Sequence, residues 1–356
     1  MCRTGCERAW TRQAPIQYPH PLEIDRSPSC TEPQSASRGP HPVEQLMPMS
    51  AAYTIAAALL SSLILYRFLK AVSHQTRLQG QSVLVIGASD GIGRAIAHLY
   101  AKRHSNLVLV ARRHAVLEQV ASECTALGCA DVACIALDVS VESNVVRLRE
   151  EVGRSMAGVD VLVLCVGVLG VKLFEEISPA DACHMADKMM SVNVLAPIFI
   201  SAYFLDMLKL SKGRIIIVSS TAGVLPAPSR AVYAASKYAL NGFFKSLRIE
   251  IAKNGVSITI ASPGTVDTDF RSKALDATCG STIPSRLSTK DSAPPRRKKV
   301  EPAKVTPDAA AKYIVEAADR RDREIVFPWF YKIAMIISAI WPSFTDLLAK
   351  VKYGIK

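Results

Sequence analysis

The nine cysteines form no CxxC motif and no complete metal-site pattern, and several lie inside apolar runs. That pattern excludes a disulfide framework or zinc module, and reduced thiols in a cytosolic redox environment are expected, with no metal site. Clustered basic charge is also missing: the net charge of +12 is dispersed except at Arg296, Arg297, Lys298 and Lys299. This short run reads as a solvated loop, and no nucleic-acid partner is expected. The first fifty residues lack sustained periodicity and carry prolines at 15, 19, 21, 28, 33, 40, 42 and 48. Such a composition predicts a disordered leader over residues 1–50. Elsewhere, the 49% of hydrophobic residues supplies ample core for one large domain.

Directly after the leader comes an uncharged run, AAYTIAAALLSSLILY, over residues 51–66. With Arg67 snorkelling, it predicts a single-pass membrane anchor over 51–72. Arg67, Lys70 and Arg77 lie beyond it, which places the succeeding domain on the cytoplasmic side. Met47 or Met49 would bring the run to an ordinary N-terminal distance if translation began there.

From Ser82 the pattern changes to short apolar runs separated by helix-length amphipathic stretches. SVLVI, NLVLVAR, ACIALDV, DVLVLCVG, GRIIIVSS and VSITIASPG read as strands at spacings that admit crossover helices. This alternation predicts a parallel, doubly wound α/β sheet over residues 78–325. The first strand runs into Gly87-Ala88-Ser89-Asp90-Gly91-Ile92-Gly93 and then a helix. A tight turn at Gly87, close pyrophosphate approach at Gly91 and helix packing at Gly93 make the loop a dinucleotide site. After the second strand come Ala111, Arg112 and Arg113, where a carboxylate would select an unphosphorylated ribose. Arg112 suits a ribose phosphate, so NADP(H) is favoured over NAD(H). Arg113 reads either as a second contact or as an exposed helix-start residue. Asp138 meets the adenine amino group or else caps the next helix together with Ser140.

Ser219 and Ser220 precede Tyr233 and Lys237 of YAASK, whose four-residue spacing puts phenol and ammonium on one helix face. A nearby cation favours the phenolate. Taken together, GASDGIG, the DV of Asp138 and Val139, Asn193, the serine pair, YAASK and PGTVDT at 263–268 resemble the short-chain dehydrogenase/reductase family over residues 81–266. The resemblance implies a Rossmann-like, three-layer fold with seven parallel strands. It implies Tyr233 as acid/base, Ser220 orienting the substrate oxygen, Lys237 holding nicotinamide ribose hydroxyls and Asn193 supporting an ordered water. It also implies cofactor contacts at Gly167, Val266 and Thr268. One departure is Leu164-Cys165-Val166-Gly167, where the family commonly has Asn-Asn-Ala-Gly. Gly167 keeps room for close approach, whereas Leu164 cannot make asparagine's hydrogen bonds.

FFKSLRIEIAKNGVSITIASPGTVDTDF and the hydrophobic C-terminus resemble a membrane-associated branch of that family, which includes dehydrogenase/reductase member seven B and the 11-beta-hydroxysteroid dehydrogenases. That likeness implies an apolar, lipid-like or steroid-like small-molecule substrate and an endoplasmic reticulum or related internal membrane. Reduction of 3-ketoacyl-CoA is an alternative, and a dinucleotide-binding membrane scaffold is the non-enzymatic one. Residues 269–306 correspond to a substrate lid or to disorder. Residues 326–356 form a hydrophobic extension, within which 326–344 reads as an interfacial helix, a subunit contact or a second span. Helices around 181–209 and 233–253 imply a homodimer or tetramer.

Overall fold

The computed structural model describes residues 78–275 and 304–354, together with helical residues 53, 54, 57–62 and 65. Two compact units divide between Ser61 and Ser62. In the first, Tyr53, Leu59 and Leu60 are exposed on helical backbone. The remainder of the expected leader and anchor, and residues 276–303 of the expected lid, lie outside the described residues.

The second unit is built on seven parallel strands in the order β3-β2-β1-β4-β5-β6-β7. They are β1 (Ser82–Ile86), β2 (Asn106–Ala111), β3 (Asp131–Ala136), β4 (Val161–Leu164), β5 (Arg214–Val218), β6 (Ser257–Pro263) and β7 (Glu324–Phe327). The first six are those expected from the sequence. The seventh crosses the expected domain end at 325, because Val326 and Phe327 pair with Ser262 and Pro263 and are buried.

Helices cover both faces, as a parallel sheet requires. Val83 and Val85 of β1 face α1 (Gly91–Ala101), α2 (His114–Ala126) and α7 (Pro307–Asp319) through Ile96, Leu117 and Ile314. Leu84 and Ile86 point the other way, toward α3 (Glu142–Ser155), α5 (Ala196–Ser211) and α6 (Ala231–Glu250) through Leu148, Phe204 and Phe244. The period-2 alternation of one strand thus serves two cores and yields three layers. Helix α4 (Pro179–Met190) joins α5 through a π turn at Ser191–Leu195. The whole 33-residue run has the length and hydropathy to cross a membrane, yet half of its most apolar window is buried in the protein. Its apolarity is that of a core helix.

β1 pairs with both β2 and β4, so crossovers leave in opposite directions and open a crevice at the strands' carboxyl ends. At the other end, Arg214 is almost fully buried. Its guanidinium donates to Gln81 Oε1 at 2.6 Å and lies 3.5 Å from Asp319, which also pairs with Arg103 at 2.8 Å. The chain closes with an α8 (Phe330–Ile340) and α9 (Pro342–Tyr353) hairpin, and no residue of α8 is buried.

Candidate active site

The glycine loop fills the crevice's first corner. Gly87 adopts φ +90°, and a Cβ there would lie 2.6 Å from Cys165 O. At Gly93 a Cβ would lie 2.1 Å from Gly87 O, so α1 starts against the turn only because that position is bare. Asp90 caps α1 by accepting from the Gly91 N–H at 2.7 Å, and Ile92 packs on the core behind it. Lys273 pairs with the other Asp90 oxygen, and Arg113 Nη2 stands 4.0 Å from it. Burial pushes the Asp90 carboxyl up, but Lys273, the Gly91 N–H and Arg113 together hold it below its ordinary value.

Arg113 also donates to Ser89 Oγ at 3.3 Å. The structure thus brings Arg113 to the loop, whereas exposed Arg112 exerts its charge on Asp138. Adjacency to Arg112 was the only sequence signal for this, and Arg113 does also stand at the start of α2, without capping it by its side chain. Asp138 Oδ1 accepts from the Ser140 N–H and hydroxyl at 2.9 and 2.7 Å, a local turn beside buried Val139. Burial opposes its ionisation, but these bonds, with Lys188 and Arg112, hold its carboxyl below the ordinary value. Opposite them, Val266 bridges to Val305, and the Thr268 methyl would lie 3.0 Å from a Cβ on Gly91.

Further along the crevice, the space above Gly167 is shared by three side chains. A Cβ built there would stand 3.4 Å from Asn193 Oδ1, 3.6 Å from Lys237 Nζ and 3.8 Å from Phe270. Asn193 is wholly buried in the π turn and its side chain is fully engaged. Oδ1 accepts from Val168 N at 2.7 Å, while Nδ2 donates to Val168 O at 3.0 Å and Ser236 Oγ at 2.9 Å. It therefore ties the segment after β4 to α6, the bracing that Leu164 does not give: Leu164 is instead a buried β4 residue registered with Ile86 and Ile217.

Tyr233 and Lys237 sit on one face of α6, both buried, with the ammonium 5.9 Å from the phenol ring centroid. Ser220 stands close enough to the Tyr233 hydroxyl to lower its proton affinity, and its Oγ accepts from Ala222 N at 3.2 Å. Ser219 Oγ is buried and has no hydrogen-bond partner among the described residues. Burial pushes the Tyr233 phenol up to about 12, against the lowering effects of Ser220 and Arg230. Burial likewise lowers Lys237 to about 8, against the opposing effect of Cys165. Desolvation thus outweighs the lowering contributions and favours the neutral phenol, and a shift of its pKa toward neutrality needs the help of the bound cofactor's positive nicotinamide and other donors. Lys237 Nζ donates to Val218 O at 3.1 Å, which leaves two further protons for other acceptors. A buried acid, a polarising hydroxyl and a cation around a bare glycine can bind a ribose and protonate an adjacent oxygen.

The short chain dehydrogenase family matches residues 81–278 of the chain. An 11-beta-hydroxysteroid dehydrogenase of Pinus massoniana is 34% identical over 270 residues, 76% of this chain and 73% of that protein. The hydroxysteroid 11-beta-dehydrogenase 1-like protein of Xenopus tropicalis is 32% identical over 78% of this chain and 88% of its own. Among solved structures, an alcohol dehydrogenase from the archaeon Thermococcus sibiricus, complexed with 5-hydroxy-NADP, superposes with a TM-score of 0.58. It is 27% identical over 71% of this chain and 98% of its own.

Proposed function

The chain belongs to the short-chain dehydrogenase family and is an oxidoreductase, and from that premise we propose that it interconverts a hydroxyl and a carbonyl on an apolar, lipid-like or steroid-like substrate with NADP(H). The observation that carries this reading is the convergence of Ser220, Tyr233 and Lys237 beside Gly167, in line with the bare glycine loop. The residues fit the dinucleotide. Gly87, Ser89, Asp90, Gly91, Ile92 and Gly93 would hold its pyrophosphate, Arg112 and Arg113 the ribose phosphate, and Asp138 and Val139 the adenine. Gly167, Val266 and Thr268 would border the nicotinamide, with the ribose hydroxyls on Lys237. The archaeal relative's ligand and the absence of a carboxylate at Ala111 both support NADP(H) over NAD(H).

When bound, the cofactor supplies or accepts hydride at the substrate carbon. The protein's part is the proton. Tyr233 is protonated at neutral pH and so stands ready as an acid for carbonyl reduction. Ser220, beside the phenol, polarises the same oxygen. As the proton leaves, Lys237 and Arg230 stabilise the developing phenolate. Asn193 holds this geometry, and a π turn leaves a main-chain carbonyl without its α-helical donor, a place for the ordered water that feeds the relay.

Transfer of deuterium from labelled NADPH to steroid ketones, 3-ketoacyl-CoA or retinoid aldehydes tests the reading and separates the substrate classes. NADPH binding without transfer to any carbonyl would sink it in favour of a dinucleotide-binding scaffold.

On the same reading the enzyme sits at an internal membrane such as the endoplasmic reticulum, in the membrane-associated branch. Residues 51–72 form its single anchor, and the α8–α9 hairpin lies at the interface. Ile333, Ile336 and Ile340 recur along one face of α8, all exposed, with Trp329 and Trp341 at its ends. Exposed Leu210 and Ile249 on α5 and α6 support a homodimer or tetramer.

A further inference from the structure

A small cleft, with about 10 Å³ of room for the centres of water-sized groups, has Tyr233 in its wall. Phe174, Ile177 and Met185 give it an apolar side, and Lys172 and Arg230 a cationic one. That is space for about one water-sized group, so only the polar head of a ligand can enter it and the rest must lie outside.

The cations are placed there by the backbone. The Lys172 N–H donates to Ser229 O at 2.8 Å, clasping the loop after β4 to the loop before α6. Ser229 adopts φ +63°, a conformation that non-glycine residues rarely hold without such support. Lys172 and Arg230 both line the cleft as a result. Neither has an ion-pair partner among the described residues, although Arg94, Arg103, Arg214 and Arg248 each have a carboxylate. The acids nearest in sequence to Lys172, Glu175 and Glu176, are exposed.

Arg230 Nε is buried and has no hydrogen-bond partner among the described residues. Its guanidinium lies 6.0 Å over the Tyr353 ring, and Lys352 is 5.5 Å from the same ring, adding a third cation near the cavity. Arg230 also precedes α6, a 20-residue helix whose N-terminus carries no side-chain cap. Ala231 and Val232 of its first turn line the same wall. Two cations without carboxylates, a buried unsatisfied donor and an uncapped helix end together specify an oxyanion.

We infer that the substrate is amphipathic, and that this cavity binds a carboxylate or phosphate carried close to the carbonyl that Tyr233 protonates. Arg230 and Lys172 are then specificity-determining residues that select against neutral ketones of the same length. The inference rests on the reductase reading but is separable from it.

Binding to the full chain with NADP+ is measured with three probes of one alkyl length: decanoate, decyl phosphate and 1-decanol. At least one anion should bind tenfold or more tighter than the alcohol. Preference for decanoate or for decyl phosphate tells which anion the substrate carries. Arg230→Gln and Lys172→Gln should each cut the ratio to below threefold, Lys172→Gln while leaving 1-decanol affinity within twofold, and Arg230→Lys should retain most of the ratio. Lys172→Gln keeps the test valid if loss of the Tyr353 contact unfolds the Arg230 variant. In turnover, 2-oxodecanoate should exceed its methyl ester tenfold in kcat/KM, with the advantage lost in both glutamine variants. Equal binding of anions and alcohol by the unmodified protein, or equal losses for all three probes in the variants, overturns the inference. Failure of every carbonyl to accept deuterium would overturn the reductase reading instead, while the binding ratios still decide this one.

Discussion

Tyr233 and Lys237 are neighbours in one buried site, and desolvation moves their proton affinities in opposite directions, each toward the neutral form. Tyr233→Phe keeps the ring and removes the proton, so turnover should fall by at least roughly a hundredfold with little change in melting temperature. Lys237→Met should be as inactive but more stable at pH 7. The folded protein holds Lys237 near 8, while the unfolded chain keeps the ordinary 10.5, so the unfolded chain binds more protons between those values. Stability therefore rises with pH from about 8 to 10.5, and below that window the buried charge costs up to on the order of 3 kcal/mol. The variant's thermal gain should shrink and vanish as pH passes 10.5. A constant gain across that range would show that packing, and not charge, was responsible. Cofactor choice is a third residue-scale test. Replacing Arg113 with Ser should weaken NADPH more than NADH, by about 1–3 kcal/mol in the difference of binding energies. The YAASK pair was legible because helix spacing alone sets it. Arg113 was legible only as one of two readings, because its approach to Ser89 and Asp90 depends on how the loops after β1 and β2 meet.

Among the elements, the π turn does the bracing that an asparagine at position 164 would otherwise share. Asn193→Ala would leave Val168 N, Val168 O and Ser236 Oγ each without this partner. A loss of about 3 kcal/mol or more in unfolding free energy is expected, measurable by urea titration. Gly93→Ala should be worse for the cofactor than for the core, since the new methyl meets Gly87 O in the turn itself. Loss of NADPH binding with most of the far-ultraviolet circular dichroism retained is the outcome to look for. Six strands could be read directly, being apolar runs bounded by turn residues. β7 could not: four residues starting at Glu324 carry little periodic signal, and Phe327 runs straight into Pro328, so its membership depends on the β6 edge it completes. The fully engaged side chain of Asn193 was equally invisible, since its partners lie 25 and 43 positions away.

The whole chain divides into an apolar N-terminal stretch and a catalytic domain whose C-terminal hairpin is itself greasy on one side. A variant lacking residues 1–72 should leave the alkali-resistant membrane fraction yet still bind detergent micelles through α8; persistent integration would argue for a second span. Within the domain, the knot of Gln81, Arg103, Arg214 and Asp319 ties the bottom of β1 and β5 to the end of α7. An interior guanidinium is tolerable only with its counter-charge in place. On the ribosome, Arg214 is made some 100 residues before Asp319, an interval of about 5–20 seconds at ordinary elongation rates. During that wait the foot of β5 holds a charge with no answering carboxylate. A chain ending ahead of Asp319 would keep that charge unanswered, and limited proteolysis of such a truncated variant should cut it faster than the full chain.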